Sequence, residues 1–272
     1  MALNWISSPL GIHFVLNLNG KHAGKCFNLF DRVSKVLTDK KEFVIKNKLF
    51  QLASDSTKSQ LNLEKKTFTS SQEIYAAVKN WVNQYGDFQF EPEKYIFPEA
   101  NGLLSNVCMY KGSWKSAMVK VYNSFSYTED IKYEVRMLVL STCDDDVSFV
   151  IVVPNETDML CHLVQKLHED GLSAALTTIQ PTFTATCKQN LPTFQFNSNI
   201  VLLDPQNAKA TISQYGCVTL DQNGIDVKVL TCLLVGKGSY KIDNNCPQIS
   251  NDCFSFALVY KDLPIFTGQM LP

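Results

Sequence analysis

The amino-acid sequence predicts a single α+β domain that is helix-rich over residues 1–100 and sheet-rich over residues 101–272. Apolar residues recur at helical spacing in the first part, and they alternate or run continuously over short segments in the second part. No repeat, low-complexity tract or Pro/Gly/Ser linker divides the chain. A chain of 272 residues is long enough to bury one sizeable core, so we expect one domain.

Local signals predict two helices near the start of the chain. The first is expected after Ser7 or Ser8, either of which can cap it, with Pro9 in its first turn and Gly20 at its end. The second is expected within residues 26–37, "CFNLFDRVSKVL", because the apolar residues of this segment share one helical face.

The third helix has the strongest pattern. Residues 71–85, "SQEIYAAVKNWVNQY", carry an apolar stripe, and Ser70 and Glu73 resemble a capping box at its start. A fourth helix is predicted at residues 158–171, where it interrupts the strands of the second part.

Seven strands are predicted after residue 100. They are LLSNVCMY (103–110), YEVRMLVL (133–140), SFVIVV (148–153), FQFNSNIVLL (194–203), DVKVLTCLLV (226–235), FSFALVY (254–260) and LPIFTG (263–268). The first has apolar residues on both faces but also contains Asn106. A buried amide without partners costs roughly 1 to 3 kcal/mol, so Asn106 needs hydrogen-bond partners inside the fold.

Composition narrows the class of function. Twenty-five basic and twenty-six acidic side chains give a net charge of −1, which offers no electrostatic reason to bind nucleic acid. Neither a membrane span nor a signal peptide is visible. Nine cysteines without a C-x-x-C pair favour free thiols in a reducing compartment, so the cytoplasm is the expected location and the extracellular space is the alternative.

The sequence carries no recognisable catalytic constellation. It lacks G-x-S-x-G, H-E-x-x-H and G-x-x-x-x-G-K-[ST], so we predict no enzyme activity, no catalytic residue, no cofactor and no metal site. The acidic run at residues 144–146 is interpreted as a solvated turn rather than a calcium loop. Lys40, Lys41, Lys46 and Lys48 are interpreted as a solvated basic face, with a polyanion site as the alternative.

Segments along nearly the whole chain resemble, in the same order, segments of the serpin family. They are NWISSPLGI (4–12), VKNWV (78–82), LLSNVCMYKGSW (103–114), SFVIVVP (148–154), LPTFQF (191–196), FSFAL (254–258) and PIFTG (264–268). They are similar to the family's N-x-x-x-S-P-x-S-I, I-N-x-W-V, L-V-x-N-A-x-Y-F-K-G-x-W, S-M-x-I-x-L-P, L-P-x-F-x-I, P-F-x-F and L-F-x-G-x. The third match is the most specific, and its matching residues are Asn106, Tyr110, Lys111, Gly112 and Trp114.

The resemblance implies a large mixed β-sheet, two smaller sheets and surrounding helices. It also implies the family's mechanism, in which a cleaved reactive loop inserts into the large sheet and traps the protease. Ser8 and Asn106 match a polar cluster that holds two central strands together until the loop inserts. Gly11 stands in place of a second Ser, and the cluster's histidine is replaced near Thr231 and Cys232, so we expect a weakened cluster.

The reactive loop is the main departure from the family. The strand ending in LTCLLV should continue into E-E-G-T and then small residues, but residues 236–253 instead carry Lys237, Tyr240, Lys241 and Asp243. Insertion across a compact chain needs roughly fifteen residues at about 3.3 Å each. Unpaired charges would also oppose burial. We therefore expect a shortened loop with a lost or weakened trap, and these four side chains are the candidate protease contacts.

Two functions remain open at this point. The chain either binds a protein partner without inhibiting it, including as a decoy for a host serine or cysteine protease, or is an active inhibitor of such a protease with a short reactive loop. A shortened serpin-like chain that carries cysteines and shows no signal peptide is similar to viral, especially poxvirus-type, members of the family. The chain starts where the family's second helix begins, so we expect the first helix to be missing and an exposed apolar patch to favour self-association.

Overall fold

The computed structural model describes most of the predicted elements. The described residues are 4–18, 25–52, 65–86, 102–115, 123–130, 135–154, 183–187, 193–204, 207–235, 254–261 and 263–270. Within them the helices are α1 (Pro9–Leu18), α2 (Lys25–Thr38) and α3 (Ser71–Asn83). The predicted helix at residues 158–171 lies outside the described residues.

The strands of the described residues are numbered in chain order. They are β1 (Trp5–Ser7), β2 (Phe43–Leu52), β3 (Lys65–Phe68), β4 (Gly102–Ser113), β5 (Asn123–Asp130), β6 (Val135–Ser141), β7 (Val147–Pro154), β8 (Phe183–Cys187), β9 (Phe194–Asp204), β10 (Asn207–Leu220), β11 (Gly224–Val235), β12 (Phe254–Tyr260) and β13 (Leu263–Met270).

The described strands form two sheets. The seven-stranded sheet has the order β1-β13-β12-β7-β6-β5-β8, and its strands pair antiparallel. The six-stranded sheet has the order β3-β2-β4-β11-β10-β9. It is a mixed sheet, because β2 and β3 are parallel whereas β4, β11 and β10 are antiparallel neighbours. β4 and β11 are therefore its two central strands.

The main core lies between the two sheets. It contains Tyr110 and Val229 from the six-stranded sheet together with Phe149, Leu258 and Phe266 from the seven-stranded sheet. These large apolar side chains are almost fully buried, as expected for the shared interior of two packed layers. The six-stranded sheet thus buries one face against the other sheet.

α3 covers part of the opposite face of the six-stranded sheet. Its start follows the prediction, because Ser70 Oγ accepts a hydrogen bond from the Glu73 N–H at 3.3 Å. The Glu73 carboxylate in turn accepts from the Thr69 N–H at 3.0 Å. Val78 and Trp81 of the helix are buried in a second apolar cluster with side chains of β2, β4 and β11. Both faces of the central strands are therefore covered.

The predicted α+β class is confirmed, and the large mixed sheet is present. The described strands group into two sheets rather than the one large and two smaller sheets that the resemblance implied, because β6 pairs with both β5 and β7 in one continuous sheet. Within the first hundred residues, β2 was not predicted, because Lys46, Asn47 and Lys48 interrupt its apolar pattern. β10 was missed because polar and apolar residues are mixed along it.

Candidate functional site

A row of polar residues crosses the centre of the six-stranded sheet. Asn47 of β2 lies opposite Asn106 of β4. Thr231 of β11 lies between Asn106 and Gln214 of β10. Directly opposite residues of antiparallel strands share one face, so these four side chains, called here the polar row, form a line across four strands. Asn106, Thr231 and Gln214 are fully buried.

Gln214 links the polar row to the start of α1. Its Nε2 donates to Thr231 Oγ1 at 2.9 Å and to the backbone carbonyl of Ser8 at 3.0 Å. Its Oε1 accepts a hydrogen bond from Ser7 Oγ at 2.6 Å. The buried amide therefore uses both of its polar atoms, and it joins β10, β11 and the segment that leads into α1.

Asn106 finds partners for only half of its amide. Its Nδ2 donates to Asn47 Oδ1 at 2.9 Å and makes a longer contact of 3.5 Å with the backbone carbonyl of Lys46. Its Oδ1 is buried and has no hydrogen-bond partner among the described residues. The predicted need for partners is met on the β2 side, and an acceptor remains open on the β11 side.

α1 crosses the polar row at Gly11. The Gly11 N–H donates to Ser8 Oγ at 3.0 Å, and Ser8 Oγ makes a 3.5 Å contact with the carbonyl of Ile265 in β13. A Cβ atom on residue 11 would overlap Thr231 Oγ1 and would lie 2.9 Å from Asn106 Oδ1. The helix can approach the central strands this closely only because residue 11 has no side chain. Ser8 and Asn106, predicted as one cluster, thus meet at the same point.

β11 is an interior strand on both faces. Val227, Val229 and Leu233 are buried on the side of α1 and the main core. Leu230 and Cys232 are buried in the cluster beneath α3. The backbone of β11 pairs with β4 over its whole length and with β10 over most of it. Such a strand combines full burial with two hydrogen-bond ladders.

A tight turn joins β10 to β11. Asp221 Oδ1 accepts hydrogen bonds from the N–H groups of Asn223 at 2.7 Å and Gly224 at 3.1 Å. Trp114, at the end of β4, donates from Nε1 to the Asp221 carbonyl at 2.9 Å. A Cβ atom on Gly224 would overlap the carbonyl oxygen of Gly112. β11 is therefore anchored beside β4 from its first residue, by the aspartate-led turn and by close backbone contact.

The other predicted motif residues also lie at this end of β4. Tyr110 is fully buried with its ring 4.7 Å from that of Phe43, and burial raises the pKa of Tyr110 to about 12. Lys111 is exposed, and its Nζ lies 3.9 Å from Asp226 Oδ2 of β11. The motif that resembles serpins most specifically therefore connects β4 to the first residues of β11.

Two buried thiols lie on the central strands. Cys108 of β4 and Cys232 of β11 are free, and burial raises the pKa of each thiol to about 12. Cys232 Sγ is 3.7 Å from Ser105 Oγ. Both thiols stay protonated at neutral pH and act as small apolar side chains.

The acidic run at residues 144–146 forms the turn between β6 and β7. Lys40 Nζ lies 2.6 Å from Asp144 Oδ2 and 3.5 Å from Asp146 Oδ2. The hydrogen bond to Asp144 raises the pKa of Lys40. Within the segments that the structure describes, no group of three or more His, Cys, Asp or Glu side chains is arranged to hold a metal ion.

The predicted basic face is divided. Lys40 lies in the turn before β2, where it pairs with the acidic run, and Lys41 Nζ is 3.7 Å from the Glu42 carboxylate. Lys46 and Lys48 lie on β2, two residues apart, so they share one face of that strand. None of the helices in the described segments is both long and apolar enough to cross a membrane.

Sequence reasoning missed Asn47, Gln214 and Ser7 as members of the polar site. A glutamine between the apolar residues of "TISQYGCV" was a usable signal, because a buried amide in a strand requires partners. The predicted protease contacts Lys237, Tyr240, Lys241 and Asp243 lie outside the described residues, and they remain predictions.

Solved structures share this arrangement of sheets and helices. "Cleaved Serpin 42Da" matches with a TM-score of 0.76 at 18% identity, over 99% of this chain and 92% of that chain. This chain has the serpin fold. The thermophilic serpin tengpin in the latent state matches with a TM-score of 0.73 at 14% identity, over 99% of this chain and 92% of that chain. The myxomaviral serine protease inhibitor 1 (SERP-1) matches with a TM-score of 0.63 at 15% identity, over 85% of this chain and 95% of that chain.

The sequence comparison agrees with the fold. A curated relative, Serpin B4 of Homo sapiens, is 23% identical over 254 residues, which cover 77% of this chain and 63% of the relative. The chain therefore spans less than two thirds of the length of this relative. No protein-family model matches the chain. The resemblance to serpins that the sequence motifs predict is confirmed.

Proposed function

We propose that this serpin-fold protein acts by binding a protein partner and does not trap proteases covalently. The observation that carries the proposal is the position of β11 between β4 and β10. Trapping, as the family resemblance implies it, requires an exposed loop to enter the large sheet after cleavage. A sheet whose central position is already filled cannot accept that strand.

β11 has the features expected of an inserted loop strand. It is antiparallel to both neighbours, and a turn from Asp221 to Gly224 leads into it. On this proposal, the family's E-E-G-T motif, expected after Val235 from the sequence, corresponds instead to residues 222–225, where Gly224 takes the position of its glycine. Similar solved structures include a cleaved serpin, a latent serpin and a loop-inserted ovalbumin mutant. On this proposal, residues 236–253 follow the inserted strand instead of forming the reactive loop.

Burial supports a permanent position for β11. Its buried aliphatic side chains are Ile225, Val227, Val229, Leu230 and Leu233. Each contributes about 1.5 to 3 kcal/mol relative to an exposed position. Extracting the strand would cost on the order of 10 kcal/mol, which is the whole stability of a typical domain. β11 is therefore not expected to leave the sheet under native conditions.

The charged residues of β11 are placed where they do not oppose burial. Asp226 and Lys228 lie near the first turn, both side chains are partly exposed, and Lys228 Nζ is 3.9 Å from Asp226 Oδ2. Lys111 Nζ lies at the same distance from this carboxylate. Partly exposed charges with opposite charges nearby avoid the desolvation penalty that an unpaired buried lysine or aspartate would bring.

Chain length allows β11 to lie inside the sheet without cleavage. β11 ends at Val235, at the end of the strand opposite to the turn that joins β10 to β11. β12, in contrast, begins near that turn, because the ring of its first residue, Phe254, lies 5.8 Å from the ring of Phe194. Phe194 pairs with Leu220 beside the turn. The chain must therefore return along β11, about 35 Å at about 3.3 Å per residue. Residues 236–253 can span up to about 60 Å, so they are long enough for this return.

Incubation with a panel of serine and cysteine proteases, followed by denaturing electrophoresis, tests the proposal. We expect cleavage products or uncut protein, without an SDS-stable adduct. A thermal melt before and after cleavage within residues 236–253 should shift by less than about 4 °C, because the sheet gains no strand. An SDS-stable adduct, or a large rise in melting temperature after cleavage, would refute the proposal.

The alternative function is active inhibition of a serine or cysteine protease. It is favoured by the fold likeness to the myxomaviral serine protease inhibitor 1, although that likeness rests on 15% identity. The same electrophoresis separates the two functions, because only an active trap leaves protease bound after denaturation. A decoy would instead slow cleavage of a peptide substrate reversibly, and dilution would restore the protease activity.

A further inference from the structure

Gly11 and Thr231 meet where α1 crosses the central strands. A Cβ atom at residue 11 would overlap Thr231 Oγ1, and it would also lie 2.9 Å from Asn106 Oδ1 and 3.3 Å from Ser8 Oγ. Three side-chain oxygens therefore surround the space that a side chain at residue 11 would occupy. The contact joins an N-terminal helix to a strand more than two hundred residues away in the sequence.

The Thr231 hydroxyl is not free to move out of this space. It accepts a hydrogen bond from Gln214 Nε2 at 2.9 Å, and the same nitrogen donates to the Ser8 carbonyl. Thr231 is fully buried, and its β-branched side chain has few allowed rotamers. Rotating the hydroxyl away would leave a buried donor of Gln214 without one of its acceptors.

We propose that Gly11 and Thr231 are a matched pair that holds β11 in the centre of the sheet. The serpin resemblance places a serine at position 11, and a serine side chain there would collide with the Thr231 hydroxyl. The glycine thus leaves the space that the Thr231 hydroxyl needs at the centre of the sheet. This inference rests on the proposed function, because it names the contact that keeps β11 inside the sheet.

Asn106 Oδ1 makes the pairing testable. This buried acceptor has no hydrogen-bond partner among the described residues, and it faces the space beside Gly11. When Thr231 is shortened to alanine, a serine at residue 11 has room for its Cβ and a nearby acceptor for its hydroxyl. Gly11→Ser and Thr231→Ala should therefore each be destabilising alone and compensate each other when combined.

Urea denaturation of the wild type, the two single variants and the double variant tests this coupling. We expect Gly11→Ser to raise the unfolding equilibrium constant about 30-fold by overpacking, and Thr231→Ala to raise it about 10-fold. The double variant should lie within about 5-fold of the wild type, whereas independent effects would multiply to about 300-fold. Gly11→Ala replaces Gly11→Ser in the same cycle if the serine variant does not fold.

Gly216→Ala is the matched control. A Cβ atom at residue 216 would overlap Ile6 rather than Thr231, so its effect should multiply with that of Thr231→Ala. Hydrogen exchange adds a readout specific to insertion. In Gly11→Ser, the amides of β11 should lose protection by at least about 10-fold more than the amides of β7, which lose only what the global destabilisation imposes.

The outcomes separate this inference from the proposed function. Independent effects in the cycle, or equal loss of protection in β11 and β7, would overturn the matched pair. If the wild type forms no SDS-stable adduct in that case, the proposed function stands and only the pair fails. If the wild type forms an adduct, the proposed function fails, and the cycle then describes a contact in a working inhibitor.

Discussion

The centres of the two sheets are built differently. In the seven-stranded sheet, β7 and β12 place apolar residues opposite each other, such as Phe149 opposite Leu258 and Val150 opposite Ala257. In the six-stranded sheet, β4 and β11 place Asn106 opposite Thr231. An apolar centre is stabilised by burial alone, whereas a buried polar centre is stable only when its groups find partners.

This difference shows how β11 is fixed in its register. An apolar strand can slide by two residues and still bury its side chains, because the same face stays inward. The polar row opposes that shift, since Gln214 and Thr231 would lose the 2.9 Å hydrogen bond between their side chains. This buried hydrogen bond therefore favours one position for β11, and burial makes that position stable.

Matched truncations in the two sheets give the largest expected effect. Leu233 of β11 and Leu258 of β12 are both fully buried, so Leu233→Ala and Leu258→Ala should each lower the free energy of unfolding by about 2 to 5 kcal/mol. Urea denaturation measures both. A cost below about 1 kcal/mol for Leu233→Ala alone would mean that β11 is a loosely held strand and would contradict the comparison.

Removing the amide of Gln214 tests the polar half of the comparison. Gln214→Leu should lower the free energy of unfolding by about 3 kcal/mol, because Ser7 and Thr231 lose a buried hydrogen-bond partner. Gln195→Leu on the exposed side of β9 is the control and should change the value by less than about 0.5 kcal/mol. Equal effects of the two variants in urea denaturation would exclude a structural role for the row.

Alkaline pH should lower the free energy of unfolding through the buried thiols of the six-stranded sheet. Burial raises the pKa of Cys232 from its ordinary value of 9.0 to about 12, so between these values the unfolded chain loses a proton that the folded chain keeps. The free energy of unfolding therefore falls as pH rises from 9 to 12, by up to about 1.4 kcal/mol per pH unit for this group. Urea denaturation at a series of pH values measures this dependence. Cys232→Ala should make the slope of the free energy of unfolding against pH shallower between pH 9 and 12 and leave it unchanged between pH 6 and 8.

The smallest effect is expected outside both centres. Lys40→Met removes the ion pair with Asp144 in the turn that starts β7 and should cost about 1 kcal/mol or less, since the ammonium group is partly exposed. Raising the salt concentration should shrink the difference between the wild type and this variant in thermal melts. A cost as large as that of Leu233→Ala would show that this surface pair matters as much as the buried centre.

Local sequence signals predicted the elements but not their neighbours. α1, α2 and α3 were found because caps and apolar stripes lie within a few residues of one another, and β4, β7 and β12 were found from their apolar runs. β10 was missed because Ser213 and Gln214 break its apolar pattern, although contacts from other strands bury both side chains.

The candidate site was only partly predictable for the same reason. Asn106 could be recognised as a buried amide that needs partners, but Asn47 and Thr231 become its neighbours only through pairing of strands distant in the sequence. The apolar pattern of β11 indicated a strand, whereas its place between β4 and β10 depends on long-range register. The serpin resemblance supplied the expected mechanism and placed the reactive loop at residues 236–253, after β11, whereas the function proposed above assigns β11 itself as the loop strand.

Hydrogen exchange of the intact, uncleaved protein tests the central claim most directly. The amides of Val229 and Leu230 in β11 lie in the middle of the six-stranded sheet, and those of Val150 and Ile151 in β7 lie in the middle of the seven-stranded sheet. A permanent interior strand predicts exchange as slow for the first pair as for the second, at the rate of global unfolding. Exchange of the β11 amides at the rate of an exposed loop, while the β7 amides remain protected, would contradict the account.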